Sequence, residues 1–394
     1  MMEVGLVGKP NVGKSTFFTA ATRADVEVAS YPFTTIDANK GIGYVTAKCP
    51  HEELDVECNP NNAPCMEGTR LIPVELIDVA GLVKDAHSGR GLGNKFLDDL
   101  RQASSLIHII DVSGSTDGEG EPCQIGEHDP KEDVEFLEKE IDYWLKGILD
   151  KNWKKMSRSI EVAGAKIEKV LFDQLSGLGV TESRVAEALR DTNISDSPRN
   201  WEDDDIFKLA KSLREKTKPI IIAANKADLV NEEQIEEFRK IDYPVIPTAA
   251  EYELALRKAS EKDIVHYIPG EDEFELLKDD ITPEQKKGLE TISNFLENFG
   301  GTGVQETLEK AVYEMLDMIV VYPVENEHNY TDKEGRVLPD AHLLPRGSTA
   351  EDLAYAVHTD IGEGFIRAVN AKTERIIGRD HELEDGDVIK IVSK

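Results

Sequence analysis

With 394 residues, 40% of them hydrophobic, the chain is too long for one ordinary domain and apolar enough for two or three cores. Its 77 acidic against 46 basic residues leave a formal charge of −31, which excludes a broad non-specific grip on nucleic acid but leaves room for local basic patches. No run reaches the roughly 18 apolar residues of a membrane span, and an N-terminus that enters a strand at once lacks a signal-peptide pattern, so a cytoplasmic location is expected.

Glu3 to Val7 reads as a short buried strand and Thr16 to Ala24 as the helix after it. Between them, Gly8-Lys9-Pro10-Asn11-Val12-Gly13-Lys14-Ser15 carries two glycines, a lysine and a hydroxyl at the offsets of a phosphate-cradling loop. Gly8 and Gly13 allow a tight turn whose N–H groups point inward, and the helix start adds partial positive charge. Asn11, Val12 and Thr16 fall inside the same cradle. Lys14 is expected to reach the β- and γ-phosphates, and the Ser15 hydroxyl to bind Mg²⁺, which prefers hard oxygen ligands.

Tyr31-Pro32-Phe33-Thr34-Thr35-Ile36 leads into an extended run, and Thr35 is the better candidate for a switch hydroxyl closing over Mg²⁺ and the γ-phosphate. Cys49, Cys58 and Cys65 lie near His51 in a Pro/Asn-rich segment that matches no standard zinc ribbon. Free thiols are the favoured reading there, with zinc as the alternative. Val74 to Ile77 reads as a strand ending in Asp78-Val79-Ala80-Gly81, where Asp78 would hold magnesium through water and Gly81 would offer its N–H to the γ-phosphate. Leu82 stands where many nucleotide switches place a water-orienting glutamine. Hydrolysis is therefore expected to be slow, or helped by His87, Arg90, a partner or a monovalent cation.

Leu106 to Val112 reads as the next strand, with His108 a satisfied core histidine. From Lys131 to about Lys216 apolar residues recur at helical spacing, which predicts an antiparallel helical insertion turning near Asp150 to Lys155. The sheet resumes at Pro219 to Ala224 and ends in Asn225-Lys226-Ala227-Asp228. Asp228 can accept from both N1–H and the exocyclic amine of guanine, a donor pair that adenine lacks. Asn225 would tie this loop to the phosphate loop, and the Lys226 stem would cover the base plane. Thr248-Ala249-Ala250, after a short strand at Pro244 to Pro247, are small residues whose backbone is a candidate contact for the guanine oxygen. A mostly helical stretch at 251–298 and a closing helix at Thr302 to Leu316 follow. The tail, with extended runs at Ile319 to Val324, Phe365 to Ala368 and Val388 to Val392 and a helix at Ala350 to His358, predicts a small sheet gripping one helix.

The motifs at Gly8 to Ser15 and Tyr31 to Ile36, with the glycine-rich run from Asp78 to Asp111, resemble the Obg-like GTPases, nearest the YchF-related branch. The tail resembles a TGS domain, a ubiquitin-like module. The resemblance implies an α/β P-loop G domain with a mostly parallel sheet, split into 1–130 and 217–317 by a coiled-coil-like insertion at 131–216, and a β-grasp TGS domain at 318–394. It also implies association with a ribosome or another RNA-containing particle. In related phosphate loops an asparagine at the place of Asn11 holds a potassium ion near the phosphates; the alternative is that Asn11 only shapes the loop. YchF proteins that prefer ATP have lost the guanine-reading motif, whereas Asn225 to Asp228 is intact here, so GTP is the expected substrate. On this reading Lys14, Thr35 and Gly81 serve catalysis, and Ser15, Thr35 and Asp78 serve the metal. The alternatives are an ATPase of the same fold and an RNA-binding adaptor with incidental hydrolysis.

Overall fold

The computed structural model describes residues 2–23, 39–79, 93–195, 197–278 and 280–394. Along the chain come β1 (Glu3–Val7), α1 (Lys14–Thr22), β2 (Lys40–Lys48), α2 (His51–Leu54), β3 (Cys65–Met66), β4 (Thr69–Asp78), α3 (Gly93–Gln102), β5 (Ser105–Asp111) and α4 (Pro130–Ala163). There follow α5 (Ile167–Leu175), α6 (Glu182–Thr192), α7 (Asp203–Thr217), β6 (Ile220–Asn225), α8 (Glu232–Phe238), β7 (Val245–Thr248), α9 (Ala250–Ser260), β8 (Val265–His266), β9 (Glu275–Leu276), α10 (Pro283–Phe299) and α11 (Val304–Glu309).

The large sheet runs β2-β4-β1-β5-β6-β7, with β3 beside β4. Its five strands from β4 to β7 are parallel, and β2 and β3 pair antiparallel to β4. Every residue of β5 and β6 is buried, because helices cover both faces, and this is why those strands read as near-continuous apolar runs. The parallel register brings the C-terminal ends of β1, β4, β5, β6 and β7 to one edge, where open α/β sheets bind ligands.

The helical insertion differs from the sequence expectation at its first turn. α4 continues through Asp150 to Lys155, and the chain reverses instead at Gly164, which takes the left-handed conformation with φ 65°. Residues 150–155 contain neither Gly nor Pro, Trp153 stacks on Trp201 at 4.9 Å, and Met156 is buried, so packing holds the helix straight through. α4 then packs on α7 around buried Arg214, whose guanidinium donates to Asp142 at 2.8 Å, to Glu138 at 3.0 Å and to the Tyr243 hydroxyl at 2.9 Å. The stretch at 251–298 is likewise interrupted, by the β8-β9 hairpin. The closing helix begins at Val304, and its last turn, Lys310–Met315, widens into a π-helix.

The tail forms β10 (Met318–Val324), β11 (His342–Pro345), α12 (Ala350–Val357), α13 (Thr359–Glu363), β12 (Phe365–Asn370), β13 (Arg375–Ile377) and β14 (Val388–Ser393). These strands make a second sheet, β11-β10-β14-β12-β13. The two faces of β10 have different work, as strand alternation allows. Ile319 and Val321 pack with Leu353 and Ala354 of α12, whereas Val320, Tyr322 and Val324 join the core beneath the large sheet. Each such apolar side chain contributes roughly 1.5–3 kcal/mol on burial. The tail is therefore seated against the large sheet as well as built around its own helix.

Candidate nucleotide site

The loop after β1 is shaped by two glycines with different constraints. A Cβ on Gly8 would lie 2.5 Å from the Ile109 carbonyl oxygen, so the loop can lie on β5 only without a side chain there. Gly13 has φ 94°, and a Cβ on it would meet Asn225 Nδ2 at 2.2 Å. Val12 is fully buried beneath the loop, while Gly8, Asn11, Gly13, Lys14, Ser15 and Thr16 face a pocket of about 540 Å³, within the range of small-ligand sites. Ser15 and Thr16 stand in the first turn of α1, where unpaired N–H groups and the helix dipole favour an anion.

Lys14 Nζ is paired with the Asp78 carboxylate and donates to the Val79 carbonyl at 3.0 Å. Asp78 arrives there because β4 lies beside β1 with Leu6 opposite Asp78. The Ser15 hydroxyl and Asp78 carboxylate are hard oxygen donors of the kind magnesium takes. Asn11 adopts φ 62° and donates Nδ2 to the Gly120 carbonyl at 2.8 Å, which gives its amide a loop-shaping task that needs no ion.

Asn225, at the end of β6, joins three segments: Nδ2 donates to the Val12 carbonyl at 2.8 Å, and Oδ1 accepts from the Ala250 N–H at 3.0 Å. Lys226 is left-handed with φ 62°, and its stem runs to Nζ contacts with Asp111 at 2.8 Å and with the Ser115 and Thr116 hydroxyls at 3.3 and 3.2 Å. Asp228 follows in a single 3₁₀ turn. Burial pushes its carboxyl above the ordinary range, with Glu251 and Asp111 adding repulsion. An acceptor of this kind gains most from a ligand that brings paired N–H donors. The N–H groups of Ala249 and Ala250 are engaged by the Thr302 carbonyl at 2.9 Å and by Asn225, so a base contact from either would require breaking those bonds. Thr248 is fully buried, and its hydroxyl donates to the Ile246 carbonyl at 3.0 Å.

Two supporting residues, Asp111 and Lys9, have no role of their own in the sequence reading. Asp111 is fully buried and gathers Lys226, Ser113, Ser115 and Thr116, so it sets the position of the base loop. Its signal was available, since it ends a parallel strand as Asp78 does. Lys9, 5% exposed, staples the phosphate loop to the Thr116 carbonyl at 2.8 Å and to Asp133 at the start of α4, where His128 also binds Asp133 at 2.9 Å. Only three-dimensional proximity identifies that pair. His108 is buried as expected, but its Nδ1 has no hydrogen-bond partner among the described residues, and burial lowers its pKa to about 3. Thr35, Gly81, Leu82, His87 and Arg90 lie outside the described residues. Cys49, His51, Cys58 and Cys65, near one another in sequence, converge with their ligand atoms all within 4.8 Å of one another.

Three family descriptions match in chain order: 50S ribosome-binding GTPase over residues 3–148, Obg-like GTPase YGR210-like, G4 motif-containing domain over 223–326, and TGS domain over 328–393. The chain is 53% identical to an uncharacterized GTP-binding protein of Methanocaldococcus jannaschii, with 100% of this chain and 99% of the relative covered. It is 28% identical to the ribosome-binding ATPase YchF of Bacillus subtilis, over 98% of each. Among solved structures, a GTP binding protein from Pyrococcus horikoshii matches over 100% of both chains with a TM-score of 0.79 and 43% identity. No helix among the described residues is long and apolar enough to cross a membrane. The order of the matched regions, the full-length likeness and the strand-end loops converge: the chain belongs to the Obg-like, YchF-related family of P-loop GTPases and carries a TGS domain at its C-terminal end.

Proposed function

We propose that the protein binds GTP in preference to ATP and hydrolyses it to GDP and phosphate as a Mg²⁺-dependent switch in the cytoplasm, engaging a ribosome or a related RNA-containing particle. The observation that carries the nucleotide reading is the Asn225 bridge, which fixes Asp228 relative to the phosphate loop. In this reading water attacks the γ-phosphate, and catalysis comes from positioning and neutralisation of charge. Lys14 exchanges Asp78 and the Val79 carbonyl for phosphate oxygens. Ser15, Thr35 and Asp78 are the residues that would hold magnesium, which would supply charge neutralisation at the phosphates. The Gly81 N–H senses the γ-phosphate. Asp228 accepts from guanine N1–H and the exocyclic amine, while the Lys226 stem, anchored at Asp111, covers the base. The ribosomal partner is supported by the relative named a ribosome-binding ATPase and by the matched 50S ribosome-binding description.

The test is equilibrium binding of labelled GTP and ATP analogues with Mg²⁺ to the native chain and to Asp228→Asn. A GTP preference that the substitution abolishes is expected. Equal or tighter ATP binding, unchanged by the substitution, would make the protein an ATPase like the relative so named. Co-sedimentation with ribosomes should depend on which nucleotide is bound; sedimentation independent of nucleotide would instead mark an adaptor.

A further inference from the structure

The cysteine-histidine cluster lies on the opposite side of β4 from its nucleotide-facing end, where the large sheet meets the tail. Cys49 follows β2, His51 opens α2, Cys58 lies in the loop beyond it, and Cys65 is on β3. We propose that these four residues form a structural zinc centre, with the three Sγ atoms and His51 Nδ1 as ligands.

The ligand atoms lie within 4.8 Å of one another, and three of their six separations match the edges of a tetrahedral site. Zinc–sulfur bonds of about 2.3 Å and zinc–nitrogen bonds of about 2.0–2.1 Å imply tetrahedron edges of roughly 3.8 Å between sulfurs and roughly 3.6 Å between sulfur and nitrogen. The corresponding separations here are 3.9 Å for Cys49 to Cys58, 3.3 Å for Cys58 to His51 Nδ1, and 3.6 Å for Cys65 to the same nitrogen. Three thiolates and one imidazole form a borderline-soft set suited to zinc and unsuited to magnesium or calcium.

Charge gives a second argument. Arg70, on β4, is fully buried, and no carboxylate pairs with it among the described residues. Its guanidinium donates to Cys49 Sγ at 3.5 Å and to the Leu338 carbonyl, and lies 5.5 Å from the centre of the Tyr322 ring. A buried cation without a counter-charge is strongly disfavoured. Zn²⁺ with three thiolates and a neutral imidazole carries one net negative charge, which balances Arg70; three neutral thiols would balance nothing.

The centre would hold the loop that docks the tail. Between Cys58 and Cys65, Asn59 and Asn61 donate their backbone N–H groups to the carbonyls of Val337 at 3.1 Å and Pro339 at 2.6 Å. Asn62 Nδ2 donates to the Ala341 carbonyl at 3.1 Å, and its Oδ1 accepts from the Ala341 N–H at 2.9 Å. A loop that presents this many polar groups at fixed spacing must itself be rigid, and a metal binding both of its ends supplies that rigidity. All four ligands lie on the large-sheet side of the seam, so the ion would brace the loop that the tail docks onto.

The experiment uses the full chain, purified under reducing conditions without added metal, with zinc measured by elemental analysis. One zinc per chain is expected in the native protein and none in the Cys58→Ser, Cys65→Ser double variant. Because that variant can fail for reasons of folding, the native chain is also stripped and reloaded with Co²⁺. Thiolate-to-cobalt charge-transfer absorption with tetrahedral d–d bands is expected, reversed by zinc. Stripping should expose residues 336–341 to protease while leaving GTP affinity unchanged. A native chain that lacks zinc and gives no thiolate–cobalt spectrum, or zinc that the double variant retains, would overturn the assignment.

Discussion

The nucleotide-facing edge of the large sheet and its seam with the tail sheet are both rich in polar side chains, yet they are built in opposite ways. At the edge the pairings are exchangeable: Lys14 rests on Asp78 and the Val79 carbonyl, and Asp228 is partly desolvated with its carboxyl raised. At the seam the pairings are dense, with Asn59, Asn61 and Asn62 engaging residues 337–341 through backbone and side chain alike, above a core shared by Val320, Tyr322 and Val388. A group meant to receive a ligand is kept in contacts it can leave, at some cost to stability. A group meant to hold two units together is given contacts it cannot leave cheaply. Changes at the edge should therefore alter binding more than stability, and changes at the seam the reverse.

The largest departure is expected at Arg70. Arg70→Met keeps much of the volume but removes the only positive charge that donates to Cys49 among the described residues, and breaking one side of a buried charge pair costs about 3–5 kcal/mol. Urea unfolding should show that loss with nucleotide affinity unchanged. A neutral or stabilising result would mean that the cluster carries no negative charge. Next comes Gly13→Ala at the edge. The added Cβ would strike Asn225 Nδ2 and force a residue with a side chain into φ 94°, so the Asn225 bridge to Val12 must give way. GTP affinity should fall on the order of 100-fold, about 2.7 kcal/mol, read by titration with a fluorescent analogue. A melting temperature lowered in proportion would break the contrast between the two regions.

Asp228→Asn sharpens the contrast through pH. The folded carboxyl is raised above its usual value of about 3.9, chiefly by burial. The folded chain therefore disfavours its ionised form, and a stability penalty develops as pH rises from the ordinary value through the raised one, complete above it. Asparagine carries no such penalty. At neutral pH the nucleotide-free variant should be at least as stable as the native chain while losing about 2 kcal/mol of GTP binding, and the stability difference should shrink on acidification. A native chain that is clearly the more stable at neutral pH would contradict the reading of Asp228 as a desolvated, waiting acceptor.

Legibility in the sequence follows the same division. The edge is made of contiguous loops at strand ends, so Gly8 to Ser15, Asp78 and Asn225 to Asp228 announce themselves by local spacing, and the parallel strands announce themselves as unbroken apolar runs. What the letters do not show there is long-range: Lys9 finding Asp133 across 124 residues, or Ala249 and Ala250 already bonded inward. The seam is assembled almost wholly from such contacts. The ligand spacing around His51 fits no short motif because two elements and a loop intervene, and Arg70 meets Leu338 from 268 residues away. The same blindness explains the displaced turn in the helical insertion, where Trp153 on Trp201 carries α4 past the expected reversal at Asp150 to Lys155.

The smallest effect should come from the ion pair that Lys372 of the tail makes with Glu53 of α2, next to the proposed zinc ligand His51. Its place at the seam suggests importance, but Glu53 is 62% exposed, and exposed pairs contribute about 1 kcal/mol or less. The hydrogen bond from Lys372 holds the Glu53 carboxyl below its ordinary range. The contribution is therefore present above the unfolded value of about 4.3 and is lost as pH falls through the lower folded value. A double-mutant cycle with Lys372→Ala and Glu53→Ala should give a coupling under about 1 kcal/mol at neutral pH, vanishing in acid and weakened by high salt, where the screening length falls to about 3 Å at 1 M. A coupling several times larger, insensitive to salt, would shift the hold on the tail from the asparagine contacts and the shared core to surface charge.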